Sequence, residues 1–278
     1  ALINGENFIN RWKEKNSLIT PIFGPHAIYS MNLEQLEQTR NLANNLSVPV
    51  SIHLSESQFE SEFSTQNYGM TSIEALESIN FFEGTTIAAH VVWPSDKEIE
   101  ILAKRNVGVV HNPTSNMKLS SGVAPISKMI EAGVLVGLGT DGAASNNDLD
   151  MWEEMRLASL LQKVTSMDPE VLPAIEVLRM ATSNGAKIID MENEIGMIAV
   201  GMKADVIQIA YDDVHHIPSY DIASHLLYVT DEQDVINVII DGKLIMHQRE
   251  FLTLDTEQIR EDVTSISSTI KETMNSNQ

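Results

Sequence analysis

The chain alternates between short apolar runs and amphipathic stretches. Five runs rich in β-branched residues are typical of strands buried on both faces; they cover residues 17–23, 49–54, 85–90, 107–111 and 134–138. Apolar positions at helical spacing predict helices over residues 7–15, 33–46, 71–79, 95–105, 126–132, 149–163 and 175–184. Strands that alternate with helices indicate an α/β fold built on a parallel sheet.

Two of these helices carry capping signals at their starts. Asn32 precedes the helix at 33–46 and is a favourable N-cap residue. Ser95 and Glu98 have the spacing of a capping box at the start of the helix at 95–105. Both signals place the beginning of a helix within a residue or two.

The pattern of apolar and polar residues changes after residue 194. Residues 195–252 are rich in short apolar runs, and Asp241-Gly242 between two of them predicts a hairpin turn. An amphipathic helix is predicted over residues 256–274. We therefore divide the chain into an α/β portion at 1–194, part of a small β domain at 195–252, and a helix with a tail at 253–278.

Chemically active residues follow the ends of all five predicted strands. They are His26, His53, His90, His111 and Asp141. Because the carboxyl ends of parallel strands meet at one edge of the sheet, these side chains are expected to converge there. Imidazole and carboxylate groups are ligands for zinc and similar divalent ions. His53 and Asp141 are our candidate metal ligands, although Asp141 alone is also compatible with a helix cap.

Two further residues have the positions of proton-transfer groups. Glu56 lies three residues beyond His53, where a carboxylate can move a proton between water and substrate. His90 can orient or deprotonate that water while Asp141 stabilises the charge. The alternatives are that Glu56 is a solvated loop acid, like Glu60 and Glu62, and that His90 is a core histidine.

The other histidines are less specific. His26 lies in a Gly-Pro-His turn and is either a substrate contact or a structural residue. His111 is interpreted as structural. The later histidines are interpreted as surface or packing residues; they are His215, His216, His225 and His247.

Composition narrows the class of protein. The 278 residues suffice for one barrel of roughly 250 residues or two smaller domains. A net charge of −21 disfavours nucleic-acid and membrane partners and leaves a small molecule as the expected one. The chain has no cysteine, which excludes thiolate metal sites. No secretory signal is recognised at the start, and a cytoplasmic location is expected.

Several motifs resemble those of the amidohydrolase superfamily, in the branch of the 5′-methylthioadenosine/S-adenosylhomocysteine deaminases and their chlorohydrolase relatives. They are Gly24-Pro-His26-Ala, Ile52-His-Leu-Ser-Glu56, Ala88-Ala-His90, Val110-His-Asn-Pro-Thr-Ser-Asn116-Met-Lys-Leu, Gly139-Thr-Asp-Gly-Ala-Ala-Ser145-Asn-Asn and Gly201-Met-Lys-Ala-Asp205. The resemblance implies a distorted TIM barrel, a small β-sandwich, a homo-oligomer and one divalent metal, usually zinc.

The resemblance also implies a role for each site residue. His53 and Asp141 would be the metal ligands, and Glu56, His90 and Asp141 the catalytic residues. His26, Glu56 and Ser145 would contact the substrate. The implied reaction is hydrolytic deamination, in which activated water attacks C6 of an adenine ring, Glu56 protonates N1 and ammonia leaves.

One departure from the family pattern is large. The family's first strand carries His-x-His, which supplies two metal ligands, and this sequence contains no such motif. Counting back from Asp141 as the end of the eighth strand makes residues 17–23 the fourth strand. We therefore expect this chain to be part of a longer protein. The first three strands of the barrel would belong to a part of that protein that this sequence does not include.

Two other functions stay open on the sequence alone. The same metal site would serve a triazine-type chlorohydrolase or a guanine deaminase, which differ in the leaving group or the base. A catalytically inactive domain that acts as an assembly module is the third interpretation, since the His-x-His motif is missing.

Overall fold

A computed structural model describes residues 2–276, which divide into two compact units. The first unit comprises residues 2–197 and 218–232, and the second comprises residues 198–217 and 233–276. The first contains α1 Leu2–Trp12, α2 Leu33–Leu46, β1 Val50–Leu54, α3 Gln58–Tyr68, α4 Ser72–Ser78, β2 Thr86–His90, α5 Asp96–Lys104, β3 Gly108–His111, α6 Pro113–Lys118, α7 Ile126–Glu131, β4 Leu135–Leu138, α8 Met151–Ser166, α9 Ala174–Met180, α10 Ser183–Ile188 and α11 Ile222–Tyr228. The second contains β5 Val206–Ile209, β6 Val235–Ile240, β7 Lys243–His247, β8 Glu250–Phe251 and α12 Thr256–Ser276.

Four strands of the first unit form one parallel sheet in the order β1-β2-β3-β4. The register pairs Leu54 with His90, and His111 with Leu138. The strands therefore end level with one another, and the side chains that follow them share one edge of the sheet. This confirms the α/β class and the parallel sheet predicted from the hydrophobic pattern.

The first predicted strand, at residues 17–23, is wrong in extent. Only Phe23 forms a parallel bridge, with Val50. Pro21 and Pro25 have no N–H group to donate, so a continuous ladder cannot form there. The His53 N–H still donates to the carbonyl of His26 at 3.0 Å, which holds His26 beside β1.

The capping predictions are confirmed. The Asn32 side chain accepts a hydrogen bond from the N–H of Gln35 at the start of α2. Ser95 and Glu98 form both bonds of a capping box at the start of α5. Short-range hydrogen bonds of this kind depend only on local sequence, which is why the pattern located them.

The sequence analysis did not predict two short helices that follow strand ends. α3 and α6 begin four and two residues after the ends of β1 and β3, in segments where we predicted no helix. The single helix predicted at 175–184 is instead two helices, α9 and α10, which are separated by a break at Thr182 (φ −132°, ψ −96°). These short helices bring side chains back over the strand ends.

The core of the first unit lies between the sheet and the helices that cover it. β1 alternates buried and half-buried positions, and β2 is buried along nearly its whole length. Residues with 0–1% exposure in this core include Leu36, Ile52, Leu54, Ile73, Leu76, Leu102, Val109, Ile126 and Val136. Burial of such side chains contributes about 1.5–3 kcal/mol each.

A buried arginine joins α2 to the start of β2. Arg40 is 2% exposed, and its Nε donates to the carbonyl of Phe81 at 2.6 Å. Its Nη2 donates to the Thr86 hydroxyl at 2.8 Å, and the guanidinium lies 5.1 Å from the Phe81 ring centre. Burial lowers the pKa of Arg40 to about 10, which leaves it charged at neutral pH.

Arg40→Met is expected to lower the free energy of unfolding by about 2–4 kcal/mol, because it leaves a buried carbonyl and a buried hydroxyl without their charged donor. Urea denaturation followed by circular dichroism measures the loss. Arg11→Met, on the exposed surface of α1, is the matched control and is expected to change stability by about 0.5 kcal/mol or less. Equal effects of the two variants would show that the buried contacts contribute no net stability.

The second unit is built on an antiparallel sheet in the order β5-β6-β7-β8. The predicted hairpin is confirmed between β6 and β7. Asp241 and Gly242 both have positive φ, 49° and 73°, as the two central residues of a type I′ turn require. No helix among residues 2–276 combines the length and apolar character needed to cross a bilayer.

Candidate metal centre

The sheet brings three of the predicted strand-end residues together. His53, His90 and Asp141 each offer one ligand atom, and these atoms all lie within 4.8 Å of one another. His26 is next to them, since the centres of the His26 and His53 rings are 4.5 Å apart. The convergence expected at the carboxyl edge of the sheet is therefore present.

The backbone at this edge is strained at several strand ends. Ser55, His90, Val91 and Asp141 have φ values of 50°, 74°, 47° and 61°. These left-handed values are uncommon for non-glycine residues, and least common for a β-branched valine. The Val91 N–H donates to the Leu54 carbonyl at 3.0 Å, which helps to hold the turn after β2. Such strain concentrates at functional sites because the surrounding contacts must enforce it.

The tautomer of His53 follows from its hydrogen bond. Its Nδ1 lies 2.8 Å from the carbonyl oxygen of His26. A carbonyl oxygen only accepts, so Nδ1 carries the proton and the lone pair is on Nε2. Histidine ligands of metals commonly donate the other ring N–H to a carbonyl in this way.

Asp141 is held as a carboxylate by two donors. Its Oδ2 accepts from the Ser115 hydroxyl at 2.7 Å, and its Oδ1 accepts from the Gly142 N–H at 2.7 Å. Burial acts to raise the pKa of Asp141, but these hydrogen bonds and the nearby His90 lower it below the ordinary value. The alternative role as a helix cap is wrong, because Asp150 caps the next helix, α8.

His90 is 1% exposed, and its two ring nitrogens have different surroundings. Nδ1 lies 2.8 Å from Oδ1 of Asn116, which is also buried. Nε2 lies 3.8 Å from Oε2 of Glu56 and has no hydrogen-bond partner among the described residues. His90 is thus buried like a core histidine, yet it points an unsatisfied nitrogen at the centre.

Glu56 reaches the centre from the turn after β1. Its side chain is 20% exposed, and its Oε1 accepts from the Ser121 hydroxyl at 3.2 Å. The Glu56 carboxylate therefore lies next to His90, where proton transfer is possible. It is mostly buried, unlike the carboxylate of a fully solvated loop acid.

The sequence analysis missed the group that holds this turn. Glu60 accepts hydrogen bonds from the N–H groups of Ser55 at 2.8 Å and Glu56 at 3.1 Å. It is 1% exposed, and burial raises its pKa although these bonds oppose the shift. Our interpretation of Glu60 as a solvated acid is wrong; Glu62 is exposed as expected. The Ser57-x-x-Glu60 spacing was the available signal, since it marks the start of a helix.

Two predicted substrate contacts lie around the centre. His26 is exposed, and its Nε2 lies 3.1 Å from the hydroxyl of Tyr29. Burial raises the pKa of Tyr29, and the charges of Glu56 and Glu60 raise it further. Ser145 is half-buried and lies four residues after Asp141 in the same loop.

His111 lies deeper in the same region. It is 1% exposed, and neither ring nitrogen has a hydrogen-bond partner in the part of the chain that the structure describes. Burial, and then the nearby His90, lower the pKa of His111 to about 3. The ring is therefore neutral at physiological pH, and its interpretation as structural stays a prediction.

A second group of possible ligands lies in the second unit. His215, His216 and Asp234 also place their ligand atoms within 4.8 Å of one another. His215 Nε2 lies 3.1 Å from one carboxylate oxygen of Asp234, and His216 Nε2 lies 3.4 Å from the other. The sequence analysis assigned both histidines to the surface or to packing. His216 is buried and stacks on Tyr211 with ring centres 4.7 Å apart, as a packing residue does.

The first group fits a divalent metal on the evidence of its own atoms. The buried Nε2 of His90 lacks a partner among the described residues, and the Nε2 lone pair of His53 and the Asp141 carboxylate lie close to it. An imidazole nitrogen and a carboxylate, as on His53 and Asp141, are donors typical of catalytic zinc sites, and the nearby Nε2 of His90 can meet a water bound there.

Comparisons with known proteins find relatives along most of the chain. A 5-methylthioadenosine/S-adenosylhomocysteine deaminase from Carboxydothermus hydrogenoformans is 48% identical over 91% of this chain and 59% of its own length. The crystal structure of a zinc-bound adenosine deaminase from Xanthomonas campestris is 34% identical, with a TM-score of 0.94 over 97% of this chain and 61% of that protein. The zinc complex of atrazine chlorohydrolase TrzN from Arthrobacter aurescens is 26% identical, with a TM-score of 0.90 over 95% and 59% of the two chains.

The chain spans about three fifths of the length of these relatives. Its residues 2–245 match the model of the amidohydrolase family. The parallel sheet, the strand-end ligand group and this match lead to one conclusion: the chain belongs to the amidohydrolase family.

Proposed function

We propose that the protein is a metal-dependent deaminase that hydrolyses the 6-amino group of adenosine-type nucleosides. The observation that carries this proposal is the group of His53, His90 and Asp141, whose ligand atoms lie within 4.8 Å of one another with Glu56 beside them. Similarity to a 5-methylthioadenosine/S-adenosylhomocysteine deaminase supports the nucleoside substrate.

In this proposal His53 and Asp141 hold a single zinc ion. The His53 lone pair is on Nε2 because Nδ1 donates to the His26 carbonyl, and Asp141 is kept ionised by its hydrogen bonds from Ser115 and Gly142. A zinc ion bound by these groups supplies an activated water at neutral pH.

Glu56 and His90 handle the protons. Glu56 takes a proton from the water and delivers it to N1 of the purine, which makes C6 more electrophilic. His90 Nε2, 3.8 Å from the Glu56 carboxylate, orients the water for attack on C6. His90 takes the second proton of the water, Asp141 stabilises the charge that His90 then carries, and His90 gives this proton to the departing amino group. Water is consumed, ammonia leaves, and the 6-oxo purine remains.

His26 and Ser145 contact the substrate. His26 is exposed beside His53, so its ring is available to a ligand at the open side of the centre. Ser145 follows β4 in the loop that also carries Asp141, and a hydroxyl there can bond a polar atom of the base. The substrate is a small molecule, whose polar groups these side chains recognise.

The proposal predicts ammonia and a 6-oxo product from 5′-methylthioadenosine, S-adenosylhomocysteine, 5′-deoxyadenosine or adenosine. The measurement is a coupled ammonia assay with zinc-loaded protein, alongside loss of the adenine absorbance. Guanine and atrazine are tested in parallel, since structural similarity to a chlorohydrolase favours that second function. If atrazine releases chloride and no nucleoside releases ammonia, the proposed deamination is wrong and the reaction is dechlorination.

A further inference from the structure

One short segment contacts three of the four polar groups at the proposed centre, namely Asp141, Glu56 and His90 but not His53. We define the α6 segment as residues 113–121, which comprise α6 and the turn after it. Within it, Ser115 donates to Asp141 at 2.7 Å, Ser121 donates to Glu56 at 3.2 Å, and Asn116 meets His90 at 2.8 Å.

The α6 segment is itself fixed to its surroundings. The buried carboxylate of Glu154 accepts from the Thr114 N–H at 3.1 Å and from the Asn146 side chain at 2.6 Å. Lys118 Nζ donates to the Ala144 carbonyl at 3.0 Å. The segment and the loop after β4 are therefore tied together, so the contacts to the centre are held by a rigid support.

The contact with His90 decides where its proton lies. Nδ1 has an acceptor, Oδ1 of Asn116, at 2.8 Å. Nε2 has none within hydrogen-bond distance among the described residues, because the Glu56 carboxylate is 3.8 Å away. In a neutral imidazole one nitrogen donates and the other accepts. The proton is therefore stabilised on Nδ1.

We propose that Asn116 is a positioning residue that holds His90 in the tautomer protonated on Nδ1, so that the Nε2 lone pair faces the centre. The consequence for turnover rests on the proposed deaminase function. A lone pair on Nε2 lets His90 accept a proton or a hydrogen bond from water. With the opposite tautomer, Nε2–H would point at the Glu56 carboxylate instead.

Asn116 suits this role better than a generic core amide. It is 1% exposed, and its Nδ2 has no hydrogen-bond partner in the described part of the chain. Leaving a buried donor unsatisfied costs about 1–3 kcal/mol. An apolar residue of similar size would avoid that cost, so the contact with His90 is what the amide provides.

The direct test is nitrogen NMR of the whole metal-free protein labelled with ¹⁵N-histidine, at about pH 8, above the ordinary histidine pKa. Long-range proton–nitrogen correlations report which ring nitrogen is protonated, and the His90→Gln spectrum assigns the His90 signals. We expect His90 to show Nδ1–H in the natural protein. Finding Nε2–H there would overturn the proposal without any variant.

Two substitutions extend the test. In Asn116→Leu the acceptor is lost, and we expect the proton of His90 to move to Nε2; Asn116→Ala gives the same readout if the leucine variant does not fold. Asn237→Ala removes a buried amide of the second unit and is expected to leave the tautomer of His90 unchanged. Persistence of Nδ1–H in both Asn116 variants would also overturn the proposal.

Kinetics separate positioning from general damage to the site. Partners that orient metal-bound histidines typically contribute roughly 10- to 100-fold to activity, and by analogy we expect loss of Asn116 to lower kcat by that factor with little change in KM. If the natural protein releases no ammonia, the proposed reaction fails, yet the NMR result still decides the role of Asn116. If ammonia is released and the tautomer is wrong, only the positioning role fails.

Discussion

Replacing His53 by alanine is expected to weaken zinc binding by more than about 100-fold, since loss of even an outer partner of a metal ligand costs roughly 10- to 100-fold. The reason is geometric. His53 presents an Nε2 lone pair whose direction is fixed by the Nδ1–H bond to the His26 carbonyl. Without His53, only His90 and Asp141 of this group still offer ligand atoms.

The measurement is zinc content by elemental analysis, together with competition against a chelator to obtain the affinity. His247→Ala is the control, because His247 is an exposed histidine outside both ligand groups. His215→Ala reports separately on zinc held by the second group. Unchanged zinc affinity in His53→Ala, with circular dichroism showing an intact fold, would contradict the assignment of His53 as a ligand.

The second large effect is expected from Glu56→Gln. Glutamine keeps the size of the side chain and can still accept the hydrogen bond from Ser121, but it cannot take up and release a proton at neutral pH. Loss of a general acid–base group lowers kcat by roughly 10²- to 10⁴-fold. Zinc content is expected to stay the same, because Glu56 is not among the proposed ligands.

Glu62→Gln, on the exposed side of α3, is the matched control and is expected to retain the natural kcat. The assay is ammonia release at saturating substrate, with zinc measured in the same samples. A Glu56→Gln protein that keeps most of its turnover would remove Glu56 from the mechanism. A protein that loses zinc along with activity would instead assign Glu56 to metal binding.

Much of the first unit could be predicted from local pattern. The apolar runs located β1 to β4 to within a residue or so, and the caps located the starts of α2 and α5, because burial and short-range hydrogen bonds leave direct marks in sequence. The same runs placed His53, His90 and Asp141 at strand ends, and parallel pairing then required them to meet.

Other features depended on contacts between residues distant in the chain. Residues 17–23 form a single bridge because two prolines interrupt the ladder. Glu60 looked like one more surface acid, yet it is buried under the turn that carries Glu56. Arg40 is buried because the carbonyl of Phe81 and the hydroxyl of Thr86, some forty residues later, receive its hydrogen bonds.

The sequence by itself determined which chemical groups stand at the edge of the sheet, since strand periodicity and turn residues fix where each strand ends. Only the tertiary structure decided how those groups are held. Asn116 lies 26 residues from His90, and Ser115 lies 26 residues from Asp141. The pattern of apolar and polar residues along the chain predicts neither pair, because the two partners lie in different elements. Protonation and orientation at the centre arise from these long-range hydrogen bonds, which exist only once the strands and α6 have packed together.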